Sequence, residues 1–254
     1  MKKIHFVFDR TIKSQKLKKI LLKKFKNHSA SLCDYLVIAG GDGFMLQNIR
    51  KYYKLNKPFY GINCGTFGFL MNKFNNENFY KKIISSKKSI INPLKIRIVY
   101  KNNYKKNLFA INEISLFRQS KQTAFLSFKV GAKEIIKKLI GDGILVSTPA
   151  GSTAYNLSVS GPILSLNSEK LAITPISPFR PRRWKGKIIS NKSQITISNL
   201  DSRKRPVAAV ADNVEVRDVR KLIVLINKKI KICLLHDKNK SLMKRIKLEQ
   251  NRKK

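Results

Sequence analysis

DYLVIAGGDGFMLQNIRKYY, residues 34–53, decides how the opening of the chain folds. Asp34–Ala39 is an apolar run of strand length, Gly40-Gly41-Asp42-Gly43 is a turn, and the residues from Phe44 onward are spaced as a helix. A strand passing through a glycine-rich turn into a helix presents backbone N–H groups and a helix N-terminus at the carboxyl edge of a sheet. Such an edge suits phosphate, and glycines there let an anion approach the backbone. The plainer alternative is a tight turn in which Asp42 caps the helix. The segment matches neither the GxGxxG dinucleotide fingerprint nor the GxxxxGK[ST] phosphate loop.

The flanks extend the same rhythm. KIHFVF reads as a buried strand, Gln15–Lys26 as a helix and PFYGIN (Pro58–Asn63) as a third strand. Short apolar strands alternating with helices imply an α/β, doubly wound, Rossmann-like domain over residues 1–91. From about Asn92 helix becomes rare. LKIRIVY, NLFAINEISLF, TAFLSFKV, EIIKKLI, ILVST, LAITPIS, QITISN, VAAVAD and KLIVLIN read as strands, and Gly131-Ala132 as a hairpin turn. The expected second domain, residues 92–230, is therefore β-rich. Residues 231–254 read as a strand and a short helix ending in a basic terminus, with Ser241–Lys254 as the helical part.

Composition narrows the class of protein. The 254 residues carry 54 Lys+Arg against 14 Asp+Glu, a formal charge of +40. That charge suits a polyanionic partner, but lysine outnumbers arginine 41 to 13 and is spread along the chain, as codon bias would leave it. No specific nucleic-acid partner is expected. No apolar run is long enough to span a bilayer as a helix, and the early charges of MKKIHFVFDR do not suit a signal peptide, so a cytoplasmic location is expected. Cys33, Cys64 and Cys233 lack metal or disulfide spacing, and the three histidines are scattered, so no protein-held metal centre is expected. With carboxylates this scarce, Asp42, Glu113 and Asp142 stand out. Each lies beside glycine or inside an apolar run, where a carboxylate needs partners or a task.

The most specific stretch is Gly141–Ser158, GDGILVSTPAGSTAYNLS. A strand delivers glycines and hydroxyls into a turn that also holds Tyr155, whose ring can stack on a base or nicotinamide. GGDG, then NCGTFGFL (Asn63–Leu70), then INE (Ile111–Glu113), then GDGILVSTPAGSTAYNLSVSGPIL resemble the NAD kinase family in content, order and spacing, over most of the chain. TPISPFRPRRW (Thr174–Trp184) is similar to the short bacterial form. GGDG by itself is shared with diacylglycerol kinases, sphingosine kinases and 6-phosphofructokinases. A kinase of a lipid or other small alcohol is therefore the alternative, against which the GSTAYN stretch speaks.

The resemblance implies transfer of the ATP γ-phosphoryl group to the 2′-hydroxyl of the adenosine ribose of NAD, giving NADP. It implies Asp42 as proton acceptor with Gly43 beside it in the binding turn, and Asn112 and Glu113 on the adenosine ribose. It places Asp142 on the nicotinamide-ribose side. Ala150, Thr153, Ala154, Tyr155, Asn156, Leu157 and Ser158 are implied to line the NAD site, and Asn213 to make a later contact. Divalent metal, Mg²⁺ with ATP, is implied as substrate-bound. So are a chain end that returns to the first domain and assembly as a homodimer or homotetramer. Two departures stand out: Phe44 where many members have threonine, and Asp212-Asn213 where many have Asp-Gly.

Overall fold

The computed structural model describes residues 1–66 and 68–237; the helix expected over Ser241–Lys254 lies outside the described residues. Two compact units emerge, one of residues 1–91 with the described residues from 230 to 237, the other of residues 92–229.

In the first unit, β1 (Ile4–Phe8), α1 (Ile12–Lys24), β2 (Tyr35–Gly40), α2 (Asp42–Tyr52) and β3 (Phe59–Asn63) alternate, followed by β4 (Met71–Asn72), α3 (Phe79–Ile84) and β5 (Lys87–Ile91). β1, β2 and β3 pair in parallel, β4 adds to β3, and the returning strand Ile232–His236 pairs parallel with β3 and antiparallel with β5. Strands buried on both faces must be apolar throughout, and Leu36, Val37, Ile38 and Ala39 are all fully buried. Phe6, Val37, Ala39, Tyr60 and Ile62 share one face with Leu17 and Leu21 of α1. His5, one residue out of step, meets Tyr52 of α2 at a ring separation of 5.6 Å, so helices lie on both faces. α1 starts three residues before the expected Gln15 because Thr11 caps it, accepting the Ser14 N–H.

The second unit contains β6 (Leu94–Tyr100), β7 (Lys105–Ala110), β8 (Glu113–Arg118), β9 (Ala124–Val130), β10 (Lys133–Gly141) and β11 (Gly143–Ser147). After the short helix α4 (Tyr155–Ser158) come β12 (Lys170–Ile176), β13 (Lys187–Ser190), β14 (Ile195–Asn199), β15 (Val207–Ala211), β16 (Val214–Val216) and β17 (Val219–Ile226). The returning strand Ile232–His236 is β18. Two six-stranded sheets form, ordered β10-β9-β14-β17-β6-β7 and β13-β12-β11-β8-β15-β16. Both contribute to one apolar core, with Ile96, Phe128, Ile197 and Leu222 from the first and Ile114, Leu116, Val146 and Ile173 from the second. The β9–β10 turn holds Gly131 at φ 58°, a conformation glycine adopts without steric cost.

NLFAINEISLF is not one strand. It breaks at Ile111-Asn112, where the chain leaves the β7 sheet and enters the β8 sheet. The chain crosses between the same two sheets at Asp142, the single residue between β10 and β11. No helix among the described residues is long and apolar enough to cross a membrane.

Candidate functional site

The first unit places Asp42 at the start of α2, with Gly41 as the N-cap residue. Asp42 does not cap its own helix through its side chain. Its Oδ2 accepts the Phe69 N–H at 2.8 Å and its Oδ1 accepts the Leu70 N–H at 3.0 Å. This explains the glycine of the TFGFL segment: a Cβ at Gly68 would lie 3.0 Å from Asp42 Oδ1 and 2.8 Å from Met71 Cγ. Gly41 and Gly43, by contrast, face open space within 4 Å of where a Cβ would stand. The first turn of any α-helix has N–H groups that the helix itself does not satisfy, and its dipole favours an anion. The carboxylate is thus held by a loop at the edge of an open, phosphate-compatible turn. Phe44 turns toward the strand: its Cδ1 lies 2.7 Å from where a Cβ on Gly40 would stand.

The second unit places Asn112, Glu113, Asp142 and Tyr155 around two of its sheet crossings, β7 to β8 and β10 to β11. At the first, Asn112 and Glu113 are buried, and the side-chain atoms Asn112 Oδ1 and Glu113 Oε2 have no hydrogen-bond partner. Buried polar atoms are normally paired, so two acceptors left open on consecutive residues mark a place for ligand donors. The backbone there is fully engaged. The Thr148 N–H donates to the Asn112 carbonyl at 2.9 Å, and the Thr148 hydroxyl to the Ile111 carbonyl at 2.8 Å. Burial, and then the negative charge of Asp212, push the Glu113 carboxyl up to about 8 from its ordinary 4.5.

At the second crossing Asp142 is paired with Arg118, Nε to Oδ1 2.5 Å, both side chains being about a third exposed. Tyr155 packs against Phe117 at a ring separation of 5.7 Å, and burial, then Asp142, then Glu113 push its phenol up. The charges of Asp142 and Glu113 thus both act on Tyr155. The segment folds back along β11 so that Tyr155 meets Phe117, which pairs with Gly143, the first residue of that strand.

The other predicted residues divide. Ala150 and Thr153 are buried, Ala154 and Leu157 half-buried, and Ser158 exposed. Ser158 lines a cavity of about 620 Å³ with Thr174, Ser177, Arg183, Trp184 and Lys185. Asn156, implied to line the NAD site, is fully buried and its side chain is engaged within the fold. Its Nδ2 donates to the Ser152 and Pro162 carbonyls at 3.3 and 2.9 Å, and its Oδ1 accepts the Thr174 hydroxyl at 2.7 Å. Asn213 is exposed, and the engaged residue of that turn is its neighbour Asp212. The positive φ, 52°, also falls on Asp212, so a glycine is not required at 213.

Two glycines of the Gly141–Ser158 stretch give clearance to the backbone itself. A Cβ at Gly143 would stand 2.1 Å from the Leu116 carbonyl oxygen, and one at Gly151 2.2 Å from that of Asn112. Among the described residues no group of three or more His, Cys, Asp or Glu side chains is arranged to hold a metal ion.

An α/β unit with a carboxylate in a helix-entry turn, and a β unit with unsatisfied acceptors beside an aromatic ring, define a nucleotide-handling protein of phosphotransferase type. Residues 2–85 match the ATP-NAD kinase N-terminal domain and residues 111–233 the ATP-NAD kinase C-terminal domain. The chain is 43% identical over 249 residues to the NAD kinase of Brucella suis biovar 1 (strain 1330), covering 98% of this chain and 97% of that one. It is 42% identical over 230 residues to the NAD kinase of Rickettsia rickettsii (strain Sheila Smith), covering 90% of each. Among solved structures, it superposes on an Archaeoglobus fulgidus NAD kinase in complex with ATP at a TM-score of 0.76 and 21% identity, covering 96% of this chain and 98% of that one. The yeast NADH kinase complexed with NADH gives a TM-score of 0.75 at 24% identity, covering 91% of this chain and 71% of that one. The chain belongs to the NAD kinase family.

Proposed function

We infer that this chain phosphorylates the 2′-hydroxyl of the adenosine ribose of NAD with ATP, giving NADP and ADP. The observation that carries this beyond family membership is the open pair Asn112 Oδ1 and Glu113 Oε2, two buried acceptors suited to the two hydroxyls of a ribose. Asp42 is the proton acceptor. As the 2′-oxygen bonds to the γ-phosphorus and the bond to the ADP leaving oxygen breaks, the hydroxyl proton passes to the Asp42 carboxylate. The Phe69 and Leu70 N–H groups orient that carboxylate, and the turn of Gly41 and Gly43 is open to phosphate.

Tyr155 stacks on an aromatic ring of the dinucleotide, and Asp142, held by Arg118, meets its second ribose. ATP enters with a divalent metal, Mg²⁺, as part of the substrate, neutralising phosphate charge. The same reading includes a cytoplasmic protein working as a homodimer or homotetramer, with no specific nucleic-acid partner. The alternative acceptor, a lipid or other small alcohol, has no support among the relatives. Incubating the purified protein with MgATP and NAD, NADH or a diacylglycerol in parallel, with each product identified by mass, tests the acceptor. Phosphorylated dinucleotide is expected; phosphorylated lipid alone overturns the assignment.

A further inference from the structure

Asp212 carries no role in the reaction just described, yet it is the most heavily engaged carboxylate of the second unit. Its Oδ2 accepts the Ile111 N–H at 2.8 Å, and its Oδ1 accepts those of Asn112 at 2.9 Å and Glu113 at 3.3 Å. Its own N–H donates to the Glu113 carbonyl at 3.1 Å. One turn residue thus ties down three consecutive amides about a hundred positions away. It does so from a left-handed backbone, φ 52°, which aspartate tolerates better than most side chains.

The Ile111 and Asn112 amides lie in the crossing between β7 and β8, where no ladder continues to hold the chain, and that of Glu113 opens β8. Asp212 supplies the acceptors the ladder would have given. The backbone of Asn112 and Glu113 is therefore satisfied within the fold, while Asn112 Oδ1 and Glu113 Oε2 are left for a ligand.

We propose that Asp212 is a positioning residue for the dinucleotide: it fixes the Ile111–Glu113 crossing so that both side-chain acceptors stand ready for the adenosine ribose. This rests on NAD being the acceptor substrate. Among the described residues, the charge of Asp212, from the β15–β16 turn, acts on Glu113, and the charges of Asp142 and Glu113 both act on Tyr155 of α4. The negative charge of Asp212 adds to burial in keeping the proton on Glu113. Glu113 then meets the ribose near neutral pH as an acid, able to donate one hydrogen bond and accept others. Ionising it beside Asp212 in a closed site is unfavourable, so NAD affinity weakens as pH rises through about 8.

The test is Asp212→Asn in the full chain, read by steady-state kinetics and by NAD titration across pH. KM for NAD should rise about tenfold or more, with kcat and the KM for ATP within about threefold of wild type. The pH inflection in NAD affinity should move lower by about one unit or more. Equal rises in KM for NAD and ATP, or a fall in kcat alone, overturn the proposal, and so does an unmoved inflection.

Glu113→Gln keeps the shape and removes the titration, so the comparison holds even if the Asp212 variant folds poorly. The inflection must vanish in it, and its persistence also overturns the proposal. Wild-type protein that binds NAD with this pH profile yet forms no NADP would refute the proposed reaction while leaving the role of Asp212 standing.

Discussion

Arg118 and Asp142 are joined twice, by the ion pair from Arg118 Nε to Asp142 Oδ1 at 2.5 Å and by the Arg118 N–H donating to the Asp142 carbonyl at 2.9 Å. Arg118 closes β8 and Asp142 is the lone residue between β10 and β11, so the pair holds the β10–β11 crossing as Asp212 holds that between β7 and β8. The guanidinium is held in turn, its Nη1 donating to the Ser120 carbonyl at 2.8 Å. Asp142 is therefore presented in one orientation by a fixed fork, which a lysine would not reproduce.

Because both side chains are about a third exposed, solvent screens the pair, and its loss is expected to disturb orientation more than folding. Arg118→Ala should raise the KM for NAD by roughly three- to tenfold with little change in melting temperature, and Arg118→Lys should recover only part of that. An unchanged KM for NAD in the alanine variant would separate Asp142 from dinucleotide binding.

Asn156 should behave as a scaffold residue. Replacing it with alanine leaves the Thr174 hydroxyl and the Pro162 carbonyl without their partner in a fully buried place. Each such orphan costs about 1–3 kcal/mol, so Asn156→Ala should lower the melting temperature by several degrees, with the folded fraction keeping a near-normal KM ratio for NAD over ATP. A selective loss of NAD affinity at unchanged stability would return Asn156 to the ligand-binding set.

Glu113 gives the free protein a pH-dependent stability of calculable sign. Its carboxyl is raised to about 8 in the fold, against an ordinary 4.5. The folded state thus holds the proton more tightly than the unfolded chain. The stabilisation is complete below about 4.5 and lost as pH rises toward about 8. Glu113→Gln carries no such titration. Its melting temperature should exceed that of wild type by roughly 5 °C or more above pH 8, the difference shrinking as pH falls toward 5. Melting curves of the two proteins that run parallel across this range would show that Glu113 is not held as an acid.

The α/β opening was legible because continuous apolar strands and a glycine turn are local signals. Leu36–Ala39 is buried on both faces, and the sequence shows it without reference to anything distant. The crossing at Asn112 was not legible as a crossing. FAINEISLF alternates well enough to pass for one strand, and a polar pair inside it looks like the solvent face of a sheet. Periodicity records burial, not the point at which a chain changes sheets. The structural roles of Arg118 and Asp212 escaped notice for a related reason. Each acts on a segment far away in sequence, 24 residues for Arg118 and about a hundred for Asp212. The short edge strands Lys87–Ile91 and Lys187–Ser190 were missed because lysines interrupt their apolar pattern. Gly143 and Gly151 were noticed as part of the Gly141–Ser158 stretch, but not that backbone carbonyls of Leu116 and Asn112 require them.

The central claim, that the chain phosphorylates NAD with Asp42 as proton acceptor, is tested most directly by measuring NADP formation with MgATP for wild type and Asp42→Asn side by side. The asparagine keeps the size of the side chain and an oxygen for the loop amides while removing the charge that takes the proton. The wild-type protein should form NADP. The variant should turn over roughly two to four orders of magnitude more slowly with NAD affinity within about threefold of wild type. Turnover by Asp42→Asn near the wild-type rate, or no NADP from the wild-type protein, would contradict the account.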